Sequence, residues 1–210
     1  MSMHSGCASG CDLTNSLKSI DVWNSAMAGK EKKVEAIHLR VSATSKACLE
    51  AVSNALGKNS TRVIEDLVAE AAAKVKVEGV DAAVADHFWS GGDWTLLKAL
   101  QLAHVPADPI LRKLRIYFLA DEALSRKDYV LVEAILWTPD MFSGETDIFL
   151  ESEGVIENPD KHRLYSVDLV EINRQLPLLE DYAAFRLKNK QISPSFRAYL
   201  EMVEEKKQAD

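Results

Sequence analysis

The stretch Val34-Glu35-Ala36-Ile37-His38-Leu39-Arg40-Val41-Ser42 constrains this chain more than any other. Ile37, Leu39 and Val41 fall at every second position, with Ala36, His38 and Arg40 interleaved. Successive side chains of a strand point to opposite faces. The alternation therefore predicts a strand with one dry face and one wet face. A strand cannot stand alone, because its backbone donors and acceptors need partners. No second strand of similar quality lies nearby. The simplest partner is the same strand from a second copy of the chain.

Two helical patterns follow. Ser42 or Thr44 can cap a helix running to about Leu56, with Ala47, Cys48, Ala51, Val52 and Ala55 at helical spacing. Cys48 lies on the apolar side of this helix and is expected in a core. Gly57 stops the helix. Asn59, Ser60 and Thr61 open a second one, with Val63, Ile64, Leu67, Val68, Ala71 and Val75 as its apolar stripe. One strand and two short helices make a small core. Dimerisation through the strand would double it.

The order strand, helix, Gly-containing turn, polar cap and helix resembles the ribbon-helix-helix family of DNA-binding proteins, to which the Arc and MetJ repressors belong. The matching residues are Ile37 to Ser42, Gly57-Lys58-Asn59-Ser60-Thr61 and Val63-Ile64, within about residues 33–76. The family pairs two such strands antiparallel and lays the ribbon in the major groove. The resemblance makes Ala36, His38 and Arg40 the base-facing residues. It places the backbone N–H groups at Asn59, Ser60 and Thr61 against a phosphate, as a helix N-terminus can. Ala36 offers only a methyl group to a thymine, so discrimination falls to Arg40 and His38. Lys30-Glu31-Lys32-Lys33 leads into the strand. It is either an arm whose Lys32 and Lys33 touch phosphates or a solvated linker. Family members serve as repressors, antitoxins, and plasmid partition or conjugation accessory factors. The size of the C-terminal part favours a regulator or an accessory factor.

The net charge of −7 argues against a uniformly basic nucleic-acid binder. Its distribution is more informative, because residues 30–76 hold nine Lys and Arg against six acids while the rest of the chain is acidic. A basic module on an acidic body suits a protein that sets one face on DNA. Cys7, Cys11 and Cys48 do not make a disulfide framework, no apolar run reaches membrane length, and no secretion signal is visible, which makes the cytoplasm the default compartment. His4-x-x-Cys7-x-x-x-Cys11 could supply three metal ligands, but no fourth is evident. A flexible tail is the preferred reading, and no metal or cofactor is expected.

The expected fold class is mainly α. Residues 1–32 form a flexible arm. Residues 33–76 form the ribbon-helix-helix DNA-binding and dimerisation domain, and residues 77–93 a linker. Residues 94–210 form an all-helical domain for oligomerisation or partner binding. In the linker, the aromatics of His87-Phe88-Trp89-Ser90-Gly91-Gly92-Asp93-Trp94 are expected to pack onto neighbouring helices rather than to form a ligand loop. Residues 138–166 read as a long connection in which Asp140, Glu145, Asp147, Glu151 and Glu153 are solvated. Pro177 is expected to kink or divide the helix over 167–190. The chain has no phosphate-cradling Gly loop, HExxH, CxxC pair or GxSxG elbow, and an enzyme is not expected. The rival reading is a helical protein–protein interaction module without DNA binding, including antitoxin-type partner binding.

Overall fold

The computed structural model describes residues 38–209. The expected arm, with His4, Cys7, Cys11, Lys32 and Lys33, lies outside the described residues, as do Ala36 and Ile37. By internal contacts the chain falls into two compact units, residues 1–48 and 49–210. Eight α-helices and one two-stranded sheet make up the regular structure of the described residues. No helix among them is long and apolar enough to cross a membrane.

Helix α1 (Ala43–Leu56) begins where Ser42 Oγ accepts the N–H of Ser45 at 3.0 Å. Gly57 follows with φ +63°, a left-handed conformation open to glycine without a Cβ clash. Helix α2 (Ser60–Lys74) is capped by Asn59, whose Oδ1 accepts the N–H of Arg62 at 2.7 Å. The same rule sets the later starts. Thr95 caps α3 (Leu96–Ala103), Asp108 precedes Pro109 at the head of α4 (Pro109–Ala120), and Ser125 caps α5 (Arg126–Leu136). A short α6 (Pro139–Phe142) leads into β1 (Ser143–Asp147), which pairs antiparallel with β2 (Ser166–Val167). Asp168 caps α7 (Leu169–Lys188), and α8 (Phe196–Ala209) closes the described chain.

Helix α4 is the centre of the larger unit. Leu114, Phe118, Leu119 and Ala120 are wholly buried, and eight of its residues are buried in all. A helix apolar over so much of its circumference must be covered on several sides. Helix α3 packs on α4, α5 packs against both α4 and α7, and Phe142 stacks on Phe196 of α8 at 5.9 Å.

Three expectations need correction. Residues 138–166 are not a solvated connection. Phe142, Ile148, Phe149, Val155 and Leu164 are buried in the core, and Glu153 grips a buried arginine. Arg115, 4% exposed, donates from Nε to the carbonyl of Ile148 at 2.6 Å. Its two terminal nitrogens donate to Glu153 at 2.8 and 2.9 Å. Its guanidinium lies over Phe149 at 4.9 Å from the ring centroid. Glu153 also accepts the N–H of Leu150 at 2.7 Å. This bidentate pair fastens the loop to α4.

Residues 77–93 are likewise not a free linker. Val77, Ala83, Val84 and Ala85 are buried, and Val84 bridges to Ile156. Trp94 is buried and donates from Nε1 to the carbonyl of Leu119 at 3.0 Å, while Trp89 stays largely exposed. Asp81 takes Arg163 bidentately at 2.6 and 2.5 Å and also accepts the N–H of Ala83. Burial works against the charge on Arg163. Hydrogen bonding to Asp81 and Tyr165 outweighs it and holds the proton more firmly than in water. The guanidinium also covers Phe118 at 4.5 Å.

Pro177, finally, does not divide its helix. Helix α7 runs unbroken through it. Ile172, Leu179, Tyr182 and Ala183 are buried on the same helix, and their packing offsets an interior proline penalty of about 3 kcal/mol.

Gly144 supplies the first test. A Cβ there would stand 2.4 Å from the backbone nitrogen of Asp168 and 2.5 Å from its Cα. The contact is with backbone, so no side chain can swing aside. We expect Gly144→Ala to destabilise by about 1–3 kcal/mol, read as a lower midpoint in urea. An unchanged midpoint would show that the sheet does not sit this tightly on the start of α7.

Candidate nucleic-acid interface

The proposed contact residues fall into two groups. His38 and Arg40 are exposed and lie in a segment, residues 38–42, that has no regular secondary structure in the single chain. Leu39 and Val41, expected on the dry face of a strand, are 66% and 58% exposed. Ala36, the third base-facing candidate, is outside the described residues.

The second group is at the head of α2. Asn59 and Thr61 are exposed and Ser60 is half-buried. Capping by Asn59 satisfies Arg62 N–H and the carbonyl of Asn59 takes Val63 N–H. In a helix the first N–H groups have no partner within the helix. Those of Ser60 and Thr61 therefore point along the axis toward an outside acceptor. Ser60 Oγ pairs with Ser53 Oγ at 3.1 Å, and Lys58 N–H donates to the carbonyl of Ser53 at 3.0 Å. These bonds tie the end of α1 to the start of α2. They explain why Ser53, a polar residue, is buried.

Lys58 and Arg62 bracket Asn59-Ser60-Thr61 directly and add two cations that the pattern of the motif alone does not single out. Both are exposed at the head of α2. Asp66 holds both, Lys58 at 2.7 Å and Arg62 Nε at 3.2 Å, and Arg62 also meets Glu65 at 3.4 Å. Hydrogen bonding from Lys58, with the charge of Arg62 behind it, keeps the Asp66 carboxyl below its ordinary range. Such exposed pairs are weak. An approaching phosphate can take over these cations without a large loss.

Cys48 is exposed, not in a core. It shares this with most of the apolar stripe. Val52, Leu56, Ile64, Leu67, Val68 and Val75 are 37–62% exposed, and Val63 is the one large apolar residue of α2 that is buried. The helices form where the sequence placed them. Their apolar faces lack a cover within the described chain.

No family model, curated protein or solved structure matches this chain.

Proposed function

We propose that the chain is a dimeric, sequence-specific DNA-binding protein of the ribbon-helix-helix kind, a transcriptional repressor or a plasmid or conjugation accessory factor. The observation that carries this is the helix–Gly57–Asn59–helix unit with its apolar stripe left open to solvent. Leu56, Leu67 and Val68, each 57% exposed or more, cannot be stably left in water at such density. A second copy covers them symmetrically. The segment around His38 then gains the strand partner that a single chain lacks. Arg40 reads a guanine edge, and His38 contacts a base or a phosphate. The N–H groups of Ser60 and Thr61, flanked by Lys58 and Arg62, hold the backbone. The larger unit serves oligomerisation or partner recruitment.

One observation favours the rival, a protein–protein interaction module. Lys58, Arg62 and Lys74 are each paired with an acid of α2, which trims the positive field expected of a DNA face. Salt titration separates the two. A DNA binder loses affinity for random duplex steeply as salt rises, whereas an interaction module shows no appreciable affinity even at low salt. After selection of a preferred site from a random pool, Arg40→Ala should cost about 1–3 kcal/mol of discrimination with the dimer intact. An unchanged site preference would remove Arg40 from the readout.

A further inference from the structure

We infer that the cleft between the start of α5 and the end of α7 is a binding site for a small organic anion, a carboxylate or phosphate carried on a short apolar body. The site does not rest on the DNA-binding reading. The cleft is a cavity of about 260 Å³. Arg126 and Val130 enter it from α5, Arg186 and Leu187 from α7, and Lys190 and Ile192 from the turn beyond. Positions four apart share a helix face, so Arg126 and Val130 of α5 are brought to the same side by spacing, while the turn after α7 carries Lys190 to the cleft beside Arg186.

The charges do not cancel. Of the acids nearby, Glu133 is taken by Arg186 at 3.0 Å and Glu180 by Lys127 at 3.5 Å. Arg186 also donates to the Tyr182 hydroxyl at 3.3 Å, so its guanidinium is held in place. Among the described residues, neither Arg126 nor Lys190 has a carboxylate in salt-bridge reach. Three cations therefore face one cleft against a single carboxylate. Between them the walls are mixed, with Val130, Leu187 and Ile192 supplying aliphatic surface and Ser193 a hydroxyl, and Leu187 and Ile192 are 37% and 56% exposed. Cations alone would suit a bare ion. Cations set among aliphatic side chains suit an anion with a hydrocarbon body. The volume lies just below the range of drug-sized pockets, about 300–1,000 Å³, so the ligand is small.

The test is calorimetric titration of the full chain with phenyl phosphate, benzoate, inorganic phosphate and benzyl alcohol. Either aromatic anion should bind more tightly than inorganic phosphate, and benzyl alcohol should not bind. Arg126→Ala combined with Lys190→Ala alters two exposed side chains. It should weaken the aromatic anion about tenfold or more through lost charge-assisted bonds, with the thermal midpoint unchanged. Absence of binding by both aromatic anions would overturn the proposal. So would equal binding of inorganic phosphate, binding of benzyl alcohol, or wild-type affinity in the double variant.

Discussion

Leu67→Asp should leave the single subunit folded and, on the proposed ribbon-helix-helix reading, abolish both the dimer and DNA binding. Leu67 is 57% exposed in the chain by itself, so an aspartate there meets water and costs the monomer little. In a ribbon-helix-helix dimer the same side chain is covered by the second copy. Each subunit then loses the burial of the exposed 57% of a leucine, about 1–2 kcal/mol. Each also gains a carboxylate that must be desolvated or remain outside. The two-fold axis doubles both effects. A loss of about 2–4 kcal/mol, from the leucines alone, shifts the dimerisation constant by roughly one to three powers of ten. Sedimentation should show a monomer with an unaltered circular-dichroism spectrum, and duplex binding should disappear with the dimer. If Leu67→Asp stays dimeric and binds DNA as before, the α2 stripe is not the dimer surface.

Glu153→Ala should be the most damaging single change in the larger unit. It strands Arg115, 4% exposed, with its two terminal nitrogens deprived of the carboxylate. Breaking one side of a buried pair costs about 3–5 kcal/mol, because the remaining charge keeps only the carbonyls of Ile148 and Leu102 and has no counter-charge. The loop over 148–153 would also lose its anchor, since Glu153 holds the Leu150 N–H as well. The double variant Arg115→Met with Glu153→Leu removes both charges and should recover much of that stability. Urea denaturation of the three variants checks this. A double variant no more stable than Glu153→Ala would mean that the pair contributes through its loop hydrogen bonds, not through charge compensation.

How far the sequence could be read follows from the range of the forces involved. Helix starts were legible because capping is local. Ser42 and Asn59 lie beside the helices they open. The turn at Gly57 was legible for the same reason. Residues 138–166 misled because their Pro, Gly, Asp and Glu content looks solvated, while their order depends on distant partners. Glu153 finds Arg115 and Leu164 N–H finds the carbonyl of Leu136 across the fold. No local pattern encodes such a pairing. Residues 77–93 misled similarly, since Asp81 finds its partner Arg163 far along the chain, beyond the reach of any local pattern. At the candidate interface, Asn59, Ser60 and Thr61 stand where their spacing placed them. His38 and Arg40 are exposed, but so are Leu39 and Val41, because alternation alone does not make a strand when the segment has no strand to pair with in the described chain. The cation cleft was invisible because Arg126 comes from α5 and Lys190 from the turn after α7, far apart in sequence.

The decisive measurement is inter-subunit nuclear Overhauser contact in a mixture of isotope-labelled and unlabelled chains, read at the backbone of residues 37–41. Cross-chain proton contacts at antiparallel-strand spacing, together with slowed amide exchange there, are the expected result. Cross-chain silence, with His38 to Val41 exchanging freely even beside a selected duplex, would contradict the ribbon and the DNA-binding function with it.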